Sequence, residues 1–256
     1  VRRLLTLIVS ALLLGACAGG DRAGDGALTL AVAKINATLD PAEAQTTSFL
    51  RSFGVGESLA KIQADGSTAP ELAESVEQTA PDTWTVVLRD GAVFHSGAPV
   101  DAEAVRASLE RSAAENALAG DLLEGVTVTV VDPRTLTVRG AGPSPFLDHT
   151  LAHYELQIHN VAAPAEADLT GPFRVTGFDA ERELTLERNP NWWGQAPTVE
   201  TVTVQQVADP EARVQIALAE QADIVDQLPS SAVPQLEETD GLTLVAPPRP
   251  TRSRCT

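Results

Sequence analysis

Apolar and polar residues alternate in short runs along most of the chain, and turn-forming residues separate the runs. Leu28 to Ala33 (LTLAVA) is apolar almost throughout, the pattern of a buried strand. Thr46 to Leu59 predicts a helix, and Asp65-Gly66 is a hairpin turn signal. Ser75 to Thr79 and Thr83 to Leu88 predict a strand pair joined through Pro81-Asp82. Val126 to Val131 and Thr135 to Arg139 alternate on either side of Asp132-Pro133-Arg134, and Phe173 to Phe178 pairs in the same way with Glu183 to Asn189. A short helical piece begins at Pro145-Phe146-Leu147. Pro197 to Val207 predicts a strand, Asp209 to Ala219 a helix with Val214 and Leu218 on one face, and Ser230 to Glu237 a further helix.

The most legible stretch is Leu88 to Arg111, LRDGAVFHSGAPVDAEAVRASLER. Arg89-Asp90-Gly91 and Gly97-Ala98-Pro99 are two breaks, and a helix starts after the second. Asp101 is the natural N-cap, and Val100 and Val105 have the spacing of a hydrophobic staple. Val105 and Leu109 mark the buried stripe, with Arg106, Glu110 and Arg111 expected to stay wet.

Residues 1–16 read as a signal peptide: Arg2 and Arg3, an apolar run from Leu4 to Leu14, then Gly15 and Ala16 before Cys17. The run is too short for a membrane span. Leu14-Gly15-Ala16-Cys17 resembles the lipobox at which bacterial prolipoproteins are lipidated and cleaved, and two acyl chains on Cys17 would give stable anchoring. Residues 17–27, Gly- and Asp-rich, read as the lipidated cysteine and a flexible tether. Removal of 1–16 leaves 16 basic against 35 acidic residues, a net charge near −19. That acidity argues against nucleic-acid partners and for solubility. Cys255 is the other thiol, so no disulfide framework is expected.

No catalytic pattern stands out. There is no G-x-S-x-G elbow, and Gly54-Val55-Gly56-Glu57-Ser58 imitates one only partly, within the predicted helix. Ser, His and Asp occur without a spacing that singles out a triad. His149 and His153 are four apart, with His159 nearby, but no flanking ligand completes a metal pattern. Surface histidines are the better reading, and no metal or cofactor is expected. His95 is expected to serve its turn structurally. The acid pairs Asp21/Asp25, Glu71/Glu74 and Glu237/Glu238 read as solvated surface, and Trp84, Trp192 and Trp193 as packing residues.

Several segments together resemble one family. Leu88 to Arg111 is similar to the signature of the family-5 extracellular solute-binding proteins, the dipeptide, oligopeptide and nickel receptors of ABC importers; Asp101 stands where Thr is usual. Leu39-Asp40-Pro41 resembles the family's "LDP". Gly56-Glu57-Ser58-Leu59 resembles its "YEsL" with Gly in place of the aromatic. Ala69 to Ser75, Leu169 to Phe173, Asn189 to Gly194 and Ala222 to Val225 follow in the family's order. The resemblance implies a mixed α/β fold, the first lobe of a type II periplasmic-binding-protein-like architecture. Residues 28–246 would form that lobe, with 59–168 an inserted subdomain and the main sheet built from Leu28 to about Ser58 and Leu169 to Ala246. It also implies ligand capture between two closing lobes. By position the ligand-binding candidates are Asn36, Thr46, Thr47, Phe49, His153, Tyr154 and Gln157.

The expected function is a lipid-anchored component of an ABC importer at the outer face of the bacterial cytoplasmic membrane, passing a peptide or related small solute to the permease and ATPase. A nickel-chelate receptor, an inactive fragment and a secreted hydrolase are the alternatives. After Ala246 the resemblance stops. Residues 247–256 hold three Arg and depart from the pattern, as a frameshift, a truncated reading frame or a short basic tail would. The second lobe is therefore expected to be missing, leaving a partly exposed apolar face.

Overall fold

The computed structural model describes residues 26–245. The signal peptide, Cys17, the tether up to Asp25 and the tail 247–256 lie outside the described residues. Strand β1 (Ala27–Val32) takes up most of the predicted apolar run. It lies inside a five-stranded sheet, parallel to β10 (Thr201–Gln206) on one side and to β11 (Ile224–Val225) on the other. Flanked on both edges, it ends in buried Ala31 and Val32, while Leu28, Thr29 and Leu30 are half-buried. The sheet continues with β9 (Glu183–Arg188) and β8 (Phe173–Asp179), an antiparallel hairpin in the order β11-β1-β10-β9-β8. Helix α5 (Pro210–Leu218) connects β10 to β11, capped by Asp209, whose carboxylate accepts from Glu211 N–H at 2.9 Å.

Between β1 and β8 the chain builds a second sheet. Strands β4 (Ala73–Ala80), β5 (Thr83–Leu88), β6 (Thr127–Asp132) and β7 (Thr135–Arg139) are all antiparallel, in the order β4-β5-β7-β6. A small hairpin of β2 (Ala60–Ile62) and β3 (Thr68–Pro70) precedes them, turning at Gly66 with φ +85°. Helix α2 (Ala102–Glu115) runs against this meander. Asp101 caps it, accepting from Ala104 N–H at 2.8 Å, and Val100, Val105 and Leu109 are buried as the pattern requires. Helix α3 (Ala117–Leu122) follows at once because Asn116 caps it, accepting from both Leu118 and Ala119 N–H. Helix α4 (Leu147–Leu151) closes the meander, and α6 (Val233–Glu237) lies near the end of the described chain.

The apolar side chains divide into separate cores. One is built from residues between Leu59 and Ile158, centred on Phe94, Leu88, Val86 and Leu109. A second draws on Val32 to Val55 and on Ala167 to Val204. A small third cluster joins α5 to α6 through Val214, Ala217 and Leu236.

Three expectations need correction. The helix predicted over 46–59 is α1 (Ala44–Ser52). It ends in a Schellman motif: Gly54 has φ +68°, its N–H bonds Arg51 O at 3.1 Å, and Val55 N–H bonds Leu50 O at 2.9 Å. The strand predicted from Pro197 begins only at Thr201. Arg111 is not wet. Its guanidinium grips both oxygens of Asp40 at 2.7–2.8 Å and also reaches Glu115. Burial, the largest single influence, would raise the Asp40 carboxyl, but the Arg111 hydrogen bond, the Ala42 N–H and the Arg111 charge together outweigh it and hold the group below its ordinary value.

The Asp101 cap gives a test of the local reading. Asp101→Ala should lower stability by about 1 kcal/mol in urea unfolding, while Asp101→Thr should keep most of it.

Candidate functional site

The two larger cores meet along the segment from Gly54 to Leu59, which leaves α1 and enters β2. Its carbonyls are all engaged. Gly54 O accepts from Phe173 N–H, Val55 O from Gly171 N–H, Glu57 O from Ile158 N–H and Ser58 O from Leu72 N–H. Gly56 O accepts from Arg51 at 3.1 Å, and Leu59 O from Glu71 and Ala73 N–H. Gly171 is required here, since a Cβ would sit 2.4 Å from Gly54 O. His95 joins the same knot, with Nε2 at 3.1 Å from Gly171 O and its backbone N–H on Leu169 O. Both bonds are long-range, so His95 ties its turn to the distant 169–171 stretch.

The seven sequence candidates lie on α1, on the loop ahead of it and on the stretch that follows α4. Thr46 and Thr47, in the first turn of α1, are buried, and Thr47 Oγ1 donates to Glu155 Oε2 at 2.7 Å. Gln157 is also buried, and its amide donates to Thr47 O at 2.6 Å and Tyr154 O at 2.8 Å. The structure therefore brings candidates on α1 into contact with the stretch 153–157. Asn36 bonds Gln45 O and approaches Thr46 Oγ1, and Phe49 packs edge-on against Phe53. His153 accepts from Glu155 N–H and stacks on Tyr154, a residue 39% exposed. Thr47 and Gln157 act as ties; Tyr154, His153, Phe49 and Asn36 are the members that solvent or a ligand can reach.

Sequence reasoning passed over the buried acids. Glu155 is 3% exposed and accepts from Thr47 and from Asn116 Nδ2 at 2.6 Å. Glu71, read as solvated, is buried and takes a bidentate pair from Arg51 at 2.6 and 2.9 Å, as well as Ser58 N–H. Only its partner in the sequence pair, Glu74, stays at the surface. Glu57 is buried with no cation bonded to it, and both Trp192 and Trp193 donate to it. The "GESL" match was the available signal, together with an adjacent pair of tryptophans.

The other chemistries find no support. Ser58 Oγ donates to His153 O and has no base beside it. His149 bonds Asp148 and Gly66 O, while His159 is buried against Ser108, where burial pushes its pKa down to about 4. The three histidines of the sequence cluster thus point to different partners. Among the described residues no group of three or more His, Cys, Asp or Glu side chains is placed to hold a metal ion. Nor is any helix there long and apolar enough to cross a membrane.

The sequence model described as "Bacterial extracellular solute-binding proteins, family 5 Middle" matches residues 67–254. The chain belongs to this family. Its members are solute-binding proteins, not enzymes. Among curated relatives it is 24% identical to the nickel-binding protein NikA of Staphylococcus aureus, over 94% of this chain and 49% of that protein. It is 30% identical to the nickel-binding periplasmic protein of Escherichia coli, over 62% of this chain and 33% of the relative. The glutathione-binding protein GsiB of Salmonella paratyphi A is 28% identical over 86% and 46%. The chain thus spans at most about half the length of these relatives. A nickel ABC transporter structure from Bacillus halodurans superposes with a TM-score of 0.74 at 29% identity, covering 84% of this chain and 46% of that one. The Staphylococcus aureus NikA structure, in complex with Ni(L-His)2, gives 0.75 at 23% identity with the same coverages. The mixed α/β fold is accordingly that of periplasmic binding proteins, matched over less than half of those chains.

The division into ties and reachable residues is measurable. Gln157→Ala removes the hydrogen bonds to Thr47 O and Tyr154 O, one of them buried, and should cost about 1–3 kcal/mol in denaturant unfolding. Tyr154→Ala should change stability by no more than about 0.5 kcal/mol.

Proposed function

We propose that the chain serves in the substrate-binding component of an ABC importer, capturing a peptide or related small solute for the permease and ATPase. The family match over residues 67–254 carries this reading. The exposed ring of Tyr154, with His153, Phe49 and Asn36 beside it, is the proposed contact surface. The same reading takes 28–246 as the first lobe and 59–168 as a subdomain inserted in it. The partition of the two larger apolar cores supports that division.

A nickel-chelate ligand is the second reading. It is favoured by the nickel-binding descriptions of relatives and solved structures at 24–30% identity. The Staphylococcus aureus NikA structure holds Ni(L-His)2, and in this reading the metal would likewise arrive enclosed by small organic ligands. Titration followed by tryptophan emission separates the two. Mixed di- and tripeptides should give a saturable response that weakens about tenfold in Tyr154→Ala, the size of one lost aromatic contact. Saturation by Ni2+ with L-histidine alone would favour the chelate, and no saturation by either would sink both readings.

We further propose that Cys17 carries the lipid anchor, on the strength of Leu14-Gly15-Ala16-Cys17. In a bacterial host the expressed chain should incorporate labelled palmitate and sediment with membranes. Cys17→Ser should abolish both, and persistence of either would rule the anchor out.

A further inference from the structure

One carboxylate lies where three parts of the chain meet. Glu57, on the segment crossing between the cores, is 3% exposed. Its Oε1 accepts from the indole N–H of Trp192 at 3.0 Å and of Trp193 at 3.1 Å, and Trp193 also reaches Oε2 at 3.2 Å. The two rings belong to the loop between β9 and β10 and lie 5.4 Å apart. Arg89, just beyond β5 in the meander, stacks its guanidinium 3.6 Å above the Trp193 ring and donates from Nε to Glu71 O. Main sheet, crossing segment and meander are thereby joined through four side chains.

The charges around Glu57 do not neutralise it. Arg51 is committed to the Glu71 carboxylate and to Gly56 O. Arg89 is committed to the Trp193 face and a backbone carbonyl. The loop Asn189 to Pro197 contains no ionisable side chain. Thr170, also close to Glu57, is flanked by Asp168, which is bonded to Ser96 and Asn160, and by Arg174, which is bonded to Glu187. The charge acting on Glu57 is that of Glu71, and it has the same sign.

We propose that Glu57, Trp192, Trp193 and Arg89 form a proton-operated clasp between the two cores, closed while Glu57 is protonated and loosened when it ionises. A neutral carboxyl still accepts both indole bonds, whereas a buried carboxylate without a cation draws water inward. Burial first, then the Glu71 charge, push the group up to about 7 against the opposing pull of the indole N–H groups. The ordinary value is 4.5, so the sign follows. The clasp's contribution to stability is complete below 4.5, falls as pH rises toward 7, and is flat above that.

Tryptophan emission of the full chain between pH 5 and 9 tests this. The wild type should show a transition with its midpoint near 7, with Trp84, bonded to Ser144 O on the other sheet, as a constant background. Glu57→Gln should remove the transition. Trp193→Phe takes away one donor to the charged form and should move the midpoint upward, by up to about one pH unit. Amide exchange in Asn189 to Gln195, corrected for its intrinsic pH dependence, should quicken from pH 6 to pH 8 only where Glu57 is present. A flat wild-type profile, a transition that survives Glu57→Gln, or a midpoint unmoved or lowered in Trp193→Phe would overturn the proposal. Should Glu57→Gln fail to fold, the wild type and Trp193→Phe decide between these outcomes.

Discussion

The backbone from Gly54 to Leu59 must find hydrogen-bond partners in a place where water has little access. Residues 55–60 are all buried, and an unpaired carbonyl there would cost as much as a lost core contact. The partners come from every side: Phe173 and Gly171, Leu72 and Glu71 with Ala73, Ile158, and the side chain of Arg51. Satisfying this one strip of main chain fixes the distance between the five-stranded sheet, the meander and the loop that carries Tyr154. The Thr47–Glu155–Asn116 and Arg51–Glu71 contacts follow from that fixed distance.

Charge reinforces the same junction. Arg111 on α2 holds Asp40 from the loop ahead of α1, and Arg51 on α1 holds Glu71 ahead of β4. Each pair joins groups from opposite sides of the junction and is partly desolvated. Loss of either partner would strand a charge, so the value of each pair lies in fixing geometry more than in net stability. Gly56 adds a steric condition. A Cβ there would lie 1.7 Å from Gln157 Oε1, so the bare backbone is what lets the Gln157 amide reach Thr47.

Much of this fold could be read from the chain. Thr83 to Leu88 alternates in burial as it alternates in sequence, and Asp101 and Asp209 cap helices where their side chains alone would place them. Errors arose where tertiary context decides. The end of α1 had a local signal in Gly54 that the run of helix-compatible residues obscured. Arg111 and Glu71 look like surface residues until distant partners, Asp40 and Arg51, are brought to them. The candidates on α1 and on 153–157 adjoin in the structure, but nothing in the pattern separated buried Thr47 and Gln157 from exposed Tyr154. Burial of a polar side chain is a property of the assembled cores and leaves no periodic trace.

The placing of β1 has a consequence in time. Ala27 pairs with Thr201 and Leu30 with Ile224, whereas two of the three pairings in the other sheet are hairpins between strands adjacent in the sequence, and the third, Thr83 with Arg139, spans far less chain. Short-range hairpins close quickly, and pairings across long loops wait on the entropy of closure. At synthesis rates of about 5–20 residues per second, roughly ten to thirty-five seconds separate the making of Val32 from that of Gln206. Through that interval the meander can complete its own core while the first strand has no partner. The earliest apolar segment of the described chain is thus among the last to be housed, and until then it depends on being shielded from other chains.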